Sequence, residues 1–280
     1  MTVHEQGTWA RELSDFVRAF SGAYLFGVPL LFTMEVWWIG IYGDRWKLVT
    51  FLGFALVANV GLTYVAGFKR EENSLGACVS QAIEVVAVGI VAATAMLLVL
   101  NRISPSEPLD SALGKIIIQA VPLSIGASVA NEIFGEREGG RQGEQSGHQQ
   151  SGWQAFLSDT GATAIGCIFI GFSIAPTEEV PMLAASMDFV HMLMLVAFTL
   201  LLGYGIVFES GFDRQQSTGL FQRPITETVL AYLISVAISL IVLFFFDQIE
   251  FGDPLRLVVA ETLVIALPAT VGGAAGRLVL

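Results

Sequence analysis

Eight long apolar runs constrain the fold of this chain more than any other feature of its sequence. They cover residues 19–41, 47–67, 79–100, 110–134, 162–187, 189–209, 225–246 and 255–278. Each run has roughly the 20 residues that an α-helix needs to cross about 30 Å of hydrocarbon, whereas the strands of a membrane barrel are about half as long. With 54% hydrophobic and only 14% charged residues, the chain is too apolar for a water-soluble domain. The sequence therefore predicts an all-α, polytopic transmembrane bundle of eight helices.

The two halves of the chain repeat one another. A shift of 144 positions aligns Gly22 with Gly166, Gly27 with Gly171, Thr33 with Thr177 and Glu35 with Glu179. A shift of 146 positions aligns Glu107-Pro108-Leu109 with Asp253-Pro254-Leu255, Pro122 with Pro268 and Gly126 with Gly272. These matches predict two four-helix repeats, at residues 19–135 and 162–280. Because four is an even number of crossings, we expect both repeats to enter the membrane from the same side and to run parallel.

Two hydrophilic segments complete the predicted organisation. Residues 136–161 begin with a stretch rich in Glu, Gly, Gln, Arg and Ser, which predicts a disordered linker exposed to solvent. Residues 1–18 form a predicted amphipathic N-terminal segment, with Trp9, Leu13 and Phe16 at helical spacing. This pattern fits either a short helix lying on the membrane surface or a charged first turn that extends helix 1.

The distribution of lysine and arginine predicts the orientation of the bundle. Nine of the 14 basic residues fall on one side of the predicted bundle, and the other five lie on or near the opposite side. Basic residues are enriched in cytoplasmic loops of membrane proteins. We therefore expect both termini and the linker to lie in the cytoplasm.

A glutamate lies at the same point of the first helix in each repeat. Glu35 and Glu179 each belong to a Thr-x-Glu-Val segment, and counting along a straight helix places both near the middle of the bilayer. A charge there costs about 3 kcal/mol on insertion scales, so such a group normally faces the bundle interior. In parallel repeats the two carboxylates would approach one axis at one depth, where they could share a proton or a cation.

The residues around Glu179 supply further oxygen ligands. Pro176 and Pro181 cannot donate to the carbonyl groups four residues earlier, which releases those oxygens from helical hydrogen bonding. With the Thr177 hydroxyl and the carboxylates of Glu178 and Glu179, they would suit Na⁺, Ca²⁺ or Mg²⁺. The predicted ion-binding residues are Thr33, Glu35, Thr177, Glu178 and Glu179.

Three more acidic residues would line a path across the membrane. Glu84 and Glu227 enter from the cytoplasmic side and would form a second acidic layer. Glu261 would pair with Lys115 or join the polar cluster, unless Lys115 instead extends outward to the membrane surface. A structural interpretation also stands, in which protonated glutamates hydrogen-bond neighbouring helices and only hold the bundle together.

Other classes of function find little support in the sequence. The chain contains no Gly-x-Ser-x-Gly, His-Glu-x-x-His, phosphate-binding or dinucleotide-binding motif. Its two cysteines, Cys78 and Cys167, fall at non-equivalent places in the repeats, which argues against a disulfide framework or a thiolate metal site. Most of the acid behind the net charge of −11 lies in short loops and membrane glutamates, so we expect no nucleic-acid partner. We expect neither an enzyme nor a bound cofactor.

The doubled Thr-x-Glu-Val segment, the Gly67-Phe68 and Gly211-Phe212 helix ends and the hydrophilic mid-chain linker resemble a bacterial family of integral membrane proteins of unknown function. The resemblance covers most of the chain and implies no activity. It implies only a location in the bacterial inner membrane.

Taken together, these patterns predict a transporter or channel for a small cation, with the lipid bilayer and the cation or a proton as its partners. Protons would compete with the cation for the same carboxylates. The alternative is a non-transporting scaffold or accessory subunit, whose glutamates only pack helices. A homo-oligomer is compatible with both.

Overall fold

A computed structural model describes residues 3–67, 74–140, 152–209 and 224–279. Within these ranges all regular secondary structure is helical, which confirms the all-α prediction there. The helices are α1 (Val3–Leu31), α2 (Met34–Tyr42), α3 (Arg45–Gly67), α4 (Leu75–Val99), α5 (Leu109–Gly140), α6 (Gly152–Ile174), α7 (Glu179–Ser186), α8 (Phe189–Tyr204), α9 (Pro224–Phe245) and α10 (Leu255–Val279). A π-helical turn, Gly205–Glu209, directly follows α8.

Among the described residues, six helices are long and apolar enough to cross a membrane individually. They are α3, α4, α5, α8 with its π-helical turn, α9 and α10. The pairs α1 with α2 and α6 with α7 also qualify when each is taken together, which gives up to eight crossings. The helices therefore have the length and composition expected of a multi-pass membrane protein.

Two of the predicted straight spans are bent pairs of helices. The axes of α1 and α2 differ by 90°, and those of α6 and α7 by 92°. At the first break Thr33 has an extended backbone, with φ −117° and ψ 108°, and its hydroxyl donates to the Pro29 carbonyl. At the second break Pro176 has no N–H to donate, and it disfavours a helical conformation in the residue before it. The prediction of one straight helix for residues 19–41 and 162–187 is wrong, because hydropathy reports apolar length and not direction.

Helices also extend into the two hydrophilic segments. Helix α1 passes residue 18 without a break, so its polar N-terminal part extends the first membrane helix. The disorder predicted for residues 136–152 is wrong for residues 136–140, which belong to α5, and for Gly152, the first residue of α6. A helix can continue beyond its apolar run because Glu, Gln and Arg are good helix formers. The middle of the linker, residues 141–151, lies outside the described residues.

The chain forms two compact units. Unit 1 takes in Met1–Leu98 and Arg102–Gly140, together with Glu209–Gly211. Unit 2 takes in Arg141–Phe208 and Phe212–Leu280, together with Val99–Asn101. In unit 1, α5 packs against α1, α2 and α3. In unit 2, α10 packs against α6, α7, α8 and α9. The last helix of each unit is therefore the one on which its other helices assemble.

The first and last long helices of each unit approach closely through small residues. A Cβ atom at Gly22 of α1 would lie 2.1 Å from the Cβ of Ala130 in α5. A Cβ atom at Gly166 of α6 would lie 2.0 Å from the carbonyl oxygen of Gly272 in α10. Both distances are far below van der Waals contact, so these helix pairs need glycine where they cross. Small residues serve the same purpose between many membrane helices.

Candidate functional site

Glu35 does not face the interior of unit 1. It lies in the first turn of α2, directly after the break at Thr33, and its side chain is exposed. The sequence places Glu35 at mid-membrane by counting residues along one straight helix. Because α2 turns by 90° at this point, that count does not measure depth. The predicted inward orientation of Glu35 is therefore wrong.

The second Thr-x-Glu-Val segment places its carboxylates differently. Glu178 is exposed, whereas Glu179, the first residue of α7, is buried. Thr177 is half-buried, and its hydroxyl donates to the carbonyl oxygen of Ile174 over 2.7 Å. Among the described residues, no group of three or more His, Cys, Asp or Glu side chains is placed to hold a metal ion. Glu35 belongs to unit 1 and Glu179 to unit 2, and their predicted approach to a common axis stays a prediction.

Glu261 is the most deeply buried acidic residue of the described chain. It lies in α10, six residues after the helix begins at Leu255, and only 2% of its surface is exposed. Its Oε2 atom is buried and has no hydrogen-bond partner among the described residues. A second acidic residue, Asp253, lies eight residues earlier, in the loop before α10. An ionised carboxylate in such surroundings is costly unless a cation or a proton compensates it.

Lys115 of α5 has the partner that Glu261 lacks. Its ammonium group lies 2.6 Å from Oε1 of Glu107 and donates to the carbonyl oxygen of Arg102, also over 2.6 Å. Lys115 is 6% exposed, and the hydroxyl of Ser111 donates to the same oxygen of Glu107. The prediction that Lys115 pairs with Glu261 is therefore wrong. The other prediction, that Lys115 extends outward to the membrane surface, stays a prediction.

Glu107 lies outside the apolar part of α5, in the loop before it. Partial burial raises the pKa of its carboxyl, but hydrogen bonds from Lys115 and Ser111 lower it by more. The net effect holds the pKa of Glu107 below its ordinary value. Glu107 is therefore ionised at neutral pH and neutralises the charge of Lys115.

Arg102 connects this ion pair to α2. Its guanidinium group lies 4.7 Å from the centre of the Trp37 ring, which is 1% exposed. A guanidinium over an indole ring is a favourable cation–π arrangement. A connected set of charged and aromatic side chains thus lies at the N-terminal end of α5 in unit 1. Sequence reasoning missed this set, although Trp37 and Arg102 each stand at the end of an apolar run.

The two remaining predicted pathway residues have different surroundings, and the acidic layer that they would share stays a prediction. Glu84 of α4 is exposed and belongs to unit 1. Glu227 of α9 is buried in unit 2, and the Arg277 guanidinium, near the end of α10, donates to its Oε1 atom. The carboxylate of Glu227 is thus already engaged by a tethered cation. The signal in the sequence was an acid at the start of one helix and a base at the end of the next.

A narrow cleft opens beside this ion pair, between α8, α9 and α10. Its lining consists of Gly203, Val207, Thr228, Ala231, Thr270, Ala274 and Arg277. The hydroxyls of Thr228 and Thr270 donate to carbonyls of their own helices, so the walls of the cleft are mainly apolar. The residue of unit 1 that corresponds to Gly203, 144 positions earlier, is Asn59. Its amide donates to the hydroxyl of Ser124 over 3.1 Å. Sequence reasoning missed this difference, which is a hydrogen-bonded amide in unit 1 and a mainly apolar cleft in unit 2.

Bent helix pairs, long apolar helices and a small number of buried charged side chains define this chain as a multi-pass helical membrane protein. Its sequence matches the profile of one family over residues 15–280. The chain belongs to that family, which is described as "putative integral membrane protein (DUF2391)", and the expected family resemblance is confirmed. No curated protein and no solved structure matches the chain.

Proposed function

We propose that the protein is a transporter or channel for a small cation in the bacterial inner membrane, and that its polar site lies in unit 2. The observation behind this proposal is Glu261, a buried carboxylate with no hydrogen bond to its Oε2 atom, in the helix that follows Asp253. Such a group is stable when it binds a cation or a proton, and both would compete for it. Exchange of a proton for a cation at this carboxylate is the proposed basis of coupled transport.

The bent pair α6 and α7 supports the same location. Glu179 is buried at the start of α7, and α7 packs against α10, which contains Glu261. The end of α7 is fastened to α10, because the Arg256 guanidinium donates to the carbonyl oxygen of Met187 over 3.1 Å. Broken helices place backbone carbonyls beside ion sites in many secondary transporters. We therefore retain Thr177 and Glu179 as proposed ligands, and give Glu35 and Glu178 no role in the interior.

The loop before α10 would attract cations to this site. It contains Asp247, Glu250 and Asp253, and Arg256 is the first basic residue after it. Acidic groups around an entrance raise the local concentration of cations. The corresponding loop of unit 1 holds Arg102 and Glu107 and is nearly neutral.

We also propose that the two units are parallel copies of one four-helix repeat, with both termini in the cytoplasm. Two features support a common origin. The helix breaks occur at Thr33 and beside Thr177, which are 144 positions apart, and the glycine crossings at Gly22 and Gly166 are also 144 apart. The predominance of basic residues on one side supports the orientation. The proposal includes no catalytic step, cofactor or nucleic-acid partner.

Flux measurements test the proposed function. The full chain would be reconstituted in proteoliposomes and challenged in turn with gradients of Na⁺, K⁺, Mg²⁺ and protons. We expect flux above that of protein-free vesicles, and we expect Glu261→Gln and Glu179→Gln to reduce it at least tenfold. Glu178→Gln and Glu84→Gln are matched controls, because both glutamates are exposed, and they should keep the wild-type rate. Absence of wild-type flux, or wild-type rates in both buried-site variants, would contradict the proposal.

A second candidate function is a scaffold or accessory subunit that transports nothing. The exposure of Glu35, Glu84 and Glu178 favours it, because these groups line no interior path. The ion pair between Glu227 and Arg277 favours it as well, since that carboxylate serves packing. A scaffold would show neither flux nor any change in stability when a particular cation is added.

A further inference from the structure

The two units carry opposite charges at the same place in their folds. Lys115 lies six residues after α5 begins, and Glu261 lies six residues after α10 begins. Glu107 and Asp253 each lie two residues before the start of the helix, and a proline follows each of them. The first turns are also alike, since Ala112 N and Val258 N donate to these prolines over 3.1 and 3.2 Å.

Unit 1 shows how a buried charge six residues into the last helix is compensated. Both Lys115 and Glu261 are buried, at 6% and 2% exposure. In unit 1 the positive ammonium of Lys115 bonds the Glu107 carboxylate and a backbone carbonyl, each over 2.6 Å. The lysine thus places a cation among oxygen atoms. In unit 2 a carboxylate takes the position of the lysine, and the acidic residue in front of the helix is retained as Asp253.

The exchange of lysine for glutamate changes the local charge by two. In unit 1 the pair of Lys115 and Glu107 is neutral, and the nearby Arg102 adds a further positive charge. Unit 2 has two negative groups, and a divalent cation is the single ion that restores neutrality. Mg²⁺ is usually bound through one or two carboxylates and keeps several of its water molecules. A site of this kind needs no third acidic ligand, which agrees with the absence of larger acidic clusters among the described residues.

We infer that unit 2 binds a hydrated divalent cation of the Mg²⁺ class between Asp253 and Glu261, at the position that the Lys115 ammonium occupies in unit 1. This inference rests on the proposed function, whose substrate class it names. It assigns Lys115 the role of a permanent, tethered substitute for the ion. Unit 1 is therefore closed to cations at this position, and unit 2 alone exchanges them.

Cation binding to the purified full chain in detergent tests this inference. The probes are Mn²⁺, followed by its electron paramagnetic resonance signal, and Mg²⁺, followed by the thermal unfolding midpoint at constant ionic strength. We expect one Mn²⁺ per chain, displaced by Mg²⁺, and a higher unfolding midpoint with either ion. Glu261→Gln and Asp253→Asn should weaken binding at least tenfold. Glu250→Gln is the matched control, because Glu250 lies exposed in the same loop and its backbone N–H, not its carboxylate, bonds Asp253. Its charge helps to attract cations only through solvent, which screens it, so we expect its loss to weaken binding much less than the loss of a ligand.

A second variant remains informative if removal of a ligand unfolds the protein. Glu261→Lys recreates the pair of unit 1, with the new ammonium beside Asp253. We expect this variant to fold, to unfold at a temperature independent of Mg²⁺, and to bind no Mn²⁺. Tenfold weaker binding in Glu250→Gln, unchanged binding in Glu261→Lys, or a midpoint that responds to Na⁺ or K⁺ and not to Mg²⁺ would each overturn the inference.

The two proposals can fail separately. Flux of a monovalent cation without Mn²⁺ binding would overturn the divalent site and leave the transport function standing. Binding of Mn²⁺ that depends on Glu261, without flux of any tested ion, would refute transport and leave a structural cation site.

Discussion

At the scale of single residues, burial turns a small difference in sequence into a large difference in electrostatics. A lysine or a glutamate in the apolar part of a helix must find its counter-charge nearby, because lipid and protein interior solvate ions poorly. Lys115 finds Glu107 two residues before its own helix. For Glu261, the residue at the same distance along the chain is another acid, Asp253. The two units therefore differ in the counter-charge that their own chain supplies at this position, although their helices are alike.

Removal of the ammonium in unit 1 should destabilise the protein. Lys115→Met keeps most of the length of the side chain but leaves the largely buried Glu107 carboxylate, whose side chain is 16% exposed, without the ammonium group. We expect a loss of about 2–3 kcal/mol in the free energy of unfolding, because breaking a buried ion pair leaves a charge uncompensated. Denaturant unfolding in detergent, followed by circular dichroism, measures the loss. The double variant Lys115→Met/Glu107→Gln should recover part of it, and equal losses in both variants would contradict this account.

The same ion pair should make stability depend on pH. The pKa of Glu107 in the folded protein lies below its ordinary value of 4.5, so the folded state favours the ionised carboxylate. The stabilisation is therefore fully present above about pH 4.5 and is lost as the pH falls through the folded pKa. We expect wild type to be more stable than Glu107→Gln at neutral pH, and the difference to disappear in acid. Unfolding midpoints of both proteins, measured from about pH 3 to about pH 7, check this expectation.

At the scale of helices, close crossings and breaks decide which side chains meet. Helix α10 lies against four other helices, and its glycines let α6 approach backbone to backbone. The breaks after α1 and α6 redirect the following short helix by about a right angle. Glu35, which follows the first break, is exposed although it lies inside an apolar run. Glu179, which follows the second break, is buried.

Two glycines of α6 provide a matched test of the crossing. A Cβ atom at Gly166 would clash with the Gly272 carbonyl oxygen at 2.0 Å, whereas a Cβ atom at Gly161 would meet nothing within 4 Å. We expect Gly166→Ala to cost about 2 kcal/mol, since it forces α6 and α10 apart. Gly161→Ala should be neutral or stabilising by up to about 1 kcal/mol, because alanine favours helix. Thermal unfolding of the two variants should rank them in this order, and equal effects would refute the close crossing.

At the scale of the whole molecule, the bent pairs decide the topology. If each bent pair crosses the membrane, each unit has four crossings and the units are parallel. If each pair returns to its starting side, each unit has three crossings and the units are inverted. The parallel proposal therefore depends on α1 with α2, and α6 with α7, acting as complete spans.

Labelling of two loops distinguishes these topologies. Ser104 and Phe251 are both exposed, in the loops before α5 and α10. In a background without Cys78 and Cys167, which are buried, Ser104→Cys and Phe251→Cys would be treated in spheroplasts with a membrane-impermeant maleimide. Parallel units should allow both cysteines to react from outside. Reaction of only one of them, with the other labelled only after permeabilisation, would show inverted units.

The sequence by itself determined the class of protein, the approximate limits of the apolar segments and the family. These follow from the amino-acid composition of about 20 successive residues, and transfer into hydrocarbon is nearly additive along such a stretch. Composition also singled out the membrane glutamates for attention, including Glu261, because a charge in lipid is costly whatever its neighbours are.

Only the tertiary structure decided what each polar group meets. The sequence could not predict that Glu35 is exposed or that Lys115 pairs with Glu107, because both depend on helix direction and on segments far apart in the chain. Hydropathy did not reveal the right-angle turns at Thr33 and Thr177, since it is unchanged when a helix bends, although Pro176 marked a weak point in the second helix. Burial and pairing are properties of packed surfaces, and those surfaces exist only after the helices of each unit have assembled.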